Sequence, residues 1–161
     1  MNRDESHAKT NAHLPRTATA PKSPRHVLLA EDDSELRVLL AGAFLSEGYK
    51  VTECHHGTDL LDRLDNLVTY REYVRPAKRE RYDLIVSAIQ MRGATTLETI
   101  EEIQQLERLP PIILITAFGD RDTRTRAGEL GVAAVFDKPF EFDDLMAKAR
   151  ELVSPEQRTE E

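Results

Sequence analysis

Three groups of residues have the types needed for chemistry. Glu31-Asp32-Asp33 sets three carboxylates in succession, Cys54-His55-His56 sets a thiol beside two imidazoles, and Thr116 and Lys138 add a lone hydroxyl and a lone ammonium. Consecutive acids suit the amino end of a helix, where backbone N–H groups and the helix dipole favour negative charge. Thiolate and imidazole are zinc ligands, but adjacent residues rarely wrap one ion and no second cluster completes a tetrahedral site, so 54–56 reads as a solvated loop. No glycine-rich phosphate loop follows any apolar run. The acids are not joined by a base or nucleophile elsewhere. No enzyme is expected.

The elements that must position these residues alternate. "HVLLA" (26–30), "DLIVSA" (83–88) and "PIILIT" (111–116) are short apolar runs, as strands covered on both faces should be. "YKVTEC" (49–54) alternates like a strand with one polar face, and "AAVFD" (133–137) is a last short strand. Between them lie helical patterns. Leu36, Leu39, Leu40, Ala43 and Phe44 share one stripe, with Ser34 able to cap its start and Gly48 its end. Leu60, Leu64, Leu67 and Val68 form the stripe of a helix opening near Thr58. Thr95 and Glu98 have capping-box spacing ahead of a third helix. A charged helix runs from about Asp120 to Gly131, and Phe142, Leu145, Met146, Ala149 and Leu152 mark the last one.

Strands alternating with helices predict an α/β domain with a parallel sheet and helices on both faces. Ligands bind such sheets outside the carboxyl ends of the strands. The first strand ends in Glu31-Asp32-Asp33, the fourth in Thr116-Ala117, and the fifth runs into Lys138-Pro139. The third ends in Ser87-Ala88, a methyl where a reactive group is expected. Neighbouring strand residues point to opposite faces, so Ser87 should lie under a helix, away from that pocket.

Acids after the first strand, Thr-Ala after the fourth and Lys-Pro-Phe after the fifth, in that order, resemble the receiver domain of bacterial response regulators over about His26 to Val153. The resemblance implies a flavodoxin-like (βα)5 doubly wound parallel sheet with strand order 2-1-3-4-5. It implies phosphoryl transfer from a histidine kinase to an aspartate at the end of the third strand, supported by Mg²⁺. On this sequence it makes Glu31, Asp32, Thr116 and Lys138 the receiver pocket. It assigns a metal to Asp32, Glu31 and the backbone carbonyl of Gln90, and it puts the phosphoacceptor at position 88. Ala88 can neither attack phosphorus nor ligate a metal, so Mg²⁺ binding is expected to be weak and residual, no other cofactor is expected, and Lys138 is expected to pair with Asp32. Other positions depart as well. Met91-Arg92 replaces the family's Met-Pro, Thr95-Thr96 its Asp-Gly, and Val135 the aromatic residue at the switch position, with Phe136 one place off and facing the other way. These departures favour a natural divergent receiver over a single engineered Asp-to-Ala change, the alternative reading of position 88.

Length and charge set the remaining bounds. The 161 residues fit one domain with tails. Residues 1–25 carry +3 and read as a disordered basic leader, so with a net charge of −7 the remainder carries −10. That acidity speaks against a dedicated nucleic-acid binder. A single cysteine and the absence of a long apolar run suit a soluble cytoplasmic protein without a membrane partner. Residues 69–82, "TYREYVRPAKRERY", form a basic insertion of charge +3 where the family has a short loop. Leu67, Tyr70 and Val74 can prolong the helix into it until Pro76 stops it. It reads first as a solvated extension, second as a docking surface for an acidic partner. Residues 154–161 are a short tail, so no attached output domain is expected. The expected function is a phosphorylation-independent, receiver-like signalling module of a two-component or phosphorelay system. Its partners are proteins, a histidine kinase or a downstream signalling protein. A nucleic-acid-binding adaptor using the leader and insertion is a further alternative.

Overall fold

A strand without polar alternation is stable only when both of its faces are covered. His26–Ala30 (β1), Leu84–Ala88 (β3) and Ile112–Thr116 (β4) are such strands, and every residue in them is buried. In the computed structural model, which describes residues 23–73, 80–105 and 108–154, they form the centre of one parallel sheet. Lys50–Cys54 (β2) and Ala134–Asp137 (β5) are its edges, and the order is β2-β1-β3-β4-β5. This is the flavodoxin-like topology expected from the sequence. The leader through residue 22, residues 74–79 of the insertion with Val74 and Pro76, the side chains of Leu67, Val68 and Tyr70, and the tail beyond 154 lie outside the described residues.

Helices Ser34–Ser46 (α1) and Phe142–Val153 (α5) cover one face of the sheet; Gly57–Tyr73 (α2), Thr96–Gln104 (α3) and Arg121–Glu129 (α4) cover the other. Period-two alternation divides the strands between the layers. Val27, Leu29, Val86 and Ile113 meet Leu40, Phe44, Leu145 and Met146. Leu28, Ile85 and Leu114 meet Leu60, Leu64, Leu97 and Ile100. No described helix is long and apolar enough to cross a membrane.

Two caps differ from expectation. Asp33, not Ser34, caps α1: its backbone is extended, and its Oδ1 accepts from Glu35 N at 2.9 Å and Leu36 N at 3.2 Å. Ser34 is already helical. Thr95 precedes α3 but makes no side-chain cap bond, so there is no capping box with Glu98. Its backbone is held instead in an antiparallel bridge to Gln90, and Thr96 N donates to Ile89 O at 3.0 Å. Gly48, with φ +87°, closes α1 as expected.

The loop after β3 is seated against the start of α2. Gly57 N donates to Arg92 O at 2.9 Å, and a Cβ on Gly57 would lie 2.6 Å from the carbonyl oxygen of Ala94. At the end of β2, Cys54 is buried and its thiol is pushed up to about 11 by that burial. His55 and His56 are exposed, and no metal-ligating cluster of three or more occurs among the described residues. At the opposite ends of the strands, His26 is buried. Its Nε2 lies 2.7 Å from Thr52 Oγ1, and its ring tilts against Tyr82 at 4.7 Å. Burial, and then Lys50, depress its pKa.

Two outcomes follow for stability. Gly57→Ala forces backbone against backbone and should destabilise the protein by about 1–3 kcal/mol in urea unfolding. His26 is favoured in its neutral form when folded, so the stability it contributes is complete above its unfolded pKa of about 6.5 and is lost as pH falls through that value toward the depressed one. Urea midpoints measured between neutral and mildly acidic pH should therefore fall more for the parent than for His26→Gln.

Candidate functional site

The register of the sheet brings the expected pocket residues to one edge. Ala30 pairs with Ser87, so Glu31 stands level with Ala88. Ala88 pairs with Ile115, which sets Thr116 one step beyond, and Thr116 pairs with Asp137, just before Lys138. The backbone closes this edge through Lys138 N to Thr116 O at 2.8 Å, Ile89 N to Ile115 O at 2.9 Å and Glu31 N to Cys54 O at 3.1 Å. The Lys138–Pro139 peptide is cis.

The acids divide their work. Glu31 is 0% exposed. Its Oε1 accepts from Asp33 N at 3.0 Å, and its Oε2 lies 3.2 Å from Lys138 Nζ at an angle outside hydrogen-bond geometry. Burial raises the Glu31 pKa above the usual carboxylate range; the Asp33 N–H and the Lys138 ammonium oppose that rise without cancelling it. Lys138 thus pairs with Glu31 rather than with Asp32 as expected. The reason is burial: Glu31 points inward without water and needs the cation, whereas Asp32 is exposed and has solvent. Asp33 caps α1, so charging the helix amino end accounts for one of the three carboxylates.

Ala88 fills the centre of this edge with a buried methyl. Its carbonyl accepts twice, from Thr96 Oγ1 at 2.5 Å and from Ser87 Oγ at 2.9 Å, and the two hydroxyls lie 3.1 Å apart. Ser87 is accordingly buried under the start of α3, on the face opposite the acids. Thr116 is buried, and its Oγ1 accepts from Phe118 N at 3.1 Å. Gln90 is exposed at the bridge to Thr95. Val135 is half-buried and packs toward the α2–α3–α4 layer, whereas Phe136 packs with Phe140 in the opposite layer, the division that strand alternation predicts.

Some supporting residues are not visible in the sequence pattern. Arg37 is buried; its Nη1 donates to Glu31 O at 2.8 Å and its Nε lies 3.3 Å from Glu53 Oε1. An arginine at one position of an apolar stripe was the available signal. Arg124 of α4 pairs with Asp137 at the end of β5, and Gly119 lies so close to that carboxylate that a Cβ would overlap it. These contacts fasten the loop after β4 to β5.

The donor set does not fit a strong Mg²⁺ site. The ion takes six oxygens in near-ideal octahedral geometry. Here one carboxylate is exposed, the other is committed to an N–H and an ammonium, and position 88 offers none.

Residues 27–150 match the response regulator receiver domain family. The transcriptional regulatory protein PdtaR of Mycobacterium tuberculosis is 32% identical over 133 residues, which is 82% of this chain and 58% of that protein. Sporulation initiation phosphotransferase F of Bacillus subtilis is 28% identical over 119 residues, 74% of this chain and 86% of the relative. The chain thus spans little more than half the length of PdtaR. Among solved structures, a CheY-like receiver domain protein from Methanospirillum hungatei superposes with a TM-score of 0.72 at 19% identity, covering 86% of this chain and all of the other. TrrA of Thermotoga maritima, in complex with Mg²⁺-BeF, gives 0.63 at 25% identity, covering 80% of this chain and 98% of its own. Strand order, pocket register and a family match spanning the whole sheet agree, and the chain belongs to the response regulator receiver domain family.

Proposed function

We propose that this receiver domain signals by binding other proteins and is not phosphorylated at position 88. Ala88 carries the reading: the family's reaction forms a bond from a carboxylate oxygen to phosphorus, and a methyl has no lone pair to give. The contacts around it support the same view. Lys138 is engaged with Glu31, the Thr116 hydroxyl holds the Phe118 N–H, and the Ala88 carbonyl is tied to Thr96. Val135 lacks a ring that could report a change in the pocket. Asp32, Glu31 and the Gln90 carbonyl would hold Mg²⁺ weakly at best, with water completing the shell. The domain has no assigned catalytic residue and acts as a binding module. Its partners are a histidine kinase or a downstream signalling protein, met through its surface in the cytoplasm. The departures at Arg92, Thr95, Thr96 and Val135 favour a natural divergent form, because one engineered change at 88 would have left them untouched.

The direct test is incubation with acetyl phosphate, or with a histidine kinase and ATP, followed by intact-mass analysis. No acyl phosphate should form. An alkali-labile adduct mapped to any pocket carboxylate would overturn the reading.

Restoring the acceptor probes the pocket further. Ala88→Asp sets a new carboxylate beside buried Glu31, and close like charges raise each other's pKa. In metal-free buffer the variant should unfold at lower urea than the parent. Millimolar Mg²⁺ should recover that loss while leaving the parent almost unchanged. A variant that binds no more Mg²⁺ than the parent would refute the placement of residue 88 against the acids.

A further inference from the structure

Helix α1 is apolar on two sides. Leu40, Ala41 and Phe44 are buried against the sheet. On the outer side Val38, Leu39 and Leu45 are 63, 60 and 58% exposed; with Phe118, they are the large apolar side chains open to solvent among the described residues. Positions 38, 39, 42, 45 and 46 fall on one helical face. At its centre is Gly42, with nothing within 4 Å of the place a Cβ would occupy and no positive φ. A glycine inside a helix is destabilising relative to alanine, and with no turn or positive φ to require it, close approach by another backbone is one use left for it. Among the described residues nothing makes that approach.

The charges at the two ends of this face differ. Asp32, Asp33 and Glu35 are exposed at the amino end. At the carboxyl end Lys50 is exposed, and Arg150 of α5 pairs with Glu47 at 2.6 Å. We propose that the outer face of α1 binds a second copy of this chain, the two helices packing antiparallel about a two-fold axis near Gly42. That axis sets Leu39 of each copy against Leu45 of the other, Val38 against Ser46, and the acidic end of each helix against the lysine-bearing end of its mate. A parallel pairing would set the acidic ends together. The same patch serves both copies, as two-fold symmetry requires. Three large apolar side chains per copy make a smaller contact than the roughly 800 Å² per partner of a standard interface, so association is weak.

Sedimentation equilibrium of the full chain, from about 5 µM to about 1 mM, reads this directly. The expected result is a monomer–dimer equilibrium that weakens with salt. Leu39→Glu should raise the dissociation constant at least about tenfold with the melting temperature preserved, since the side chain is exposed. Gly42→Ala should raise the melting temperature while weakening association, a combination that a purely local role for the glycine does not produce. Glu35→Lys should weaken the dimer, and adding Lys50→Glu should restore it. A chain that stays monomeric throughout, as it would if the face were reserved for a different helical protein, overturns the proposal. So does a dimer indifferent to Leu39→Glu, which would place self-association on another surface.

Discussion

β1, β3 and β4 are buried along their whole length, and that burial governs the rest of the domain. A strand sealed on both faces can carry side-chain polarity only where it ends. The polar groups that end β1 and β4 and follow β5 therefore gather at the carboxyl ends of the strands. The strand order β2-β1-β3-β4-β5 then fixes which loops meet there. The position of Glu31 beside Lys138 is a consequence of register, whatever residue stands at 88.

With its centre filled by alanine, the edge has settled its electrostatics internally. A fully buried carboxylate is costly unless it is paired. Glu31 has one N–H and one ammonium, which offset the cost in part and leave its pKa raised. An additional carboxylate at 88 would add a second buried charge to this balance, which the methyl avoids. The hydroxyls of Ser87 and Thr96 satisfy the Ala88 carbonyl on the far side, so the loop after β3 is held by neutral hydrogen bonds.

The fold was legible because its signals are regional: apolar runs bounded by helical stripes survive errors of a residue or two, and each strand lies within a residue of where the pattern puts it. The strand-end placement of Glu31, Ala88, Thr116 and Lys138 was legible because it follows from those runs. Less was readable where the outcome depends on three-dimensional competition. Ser34 and Asp33 are both good caps, and backbone geometry chose the aspartate. Asp32 and Glu31 both suit a lysine, and burial chose the glutamate. Gly57 and Gly119 have roles set by distant segments, and spacing along the chain carries no trace of such contacts.

Cys54 gives the domain a built-in clock. The thiolate is the nucleophile in alkylation and disulfide exchange, and a thiol held at about 11 inside the core presents almost none of it at neutral pH. Its modification therefore waits on an opening of the α2–α3 layer that packs over it, and the labelling rate at this single cysteine reports how often that part of the core opens.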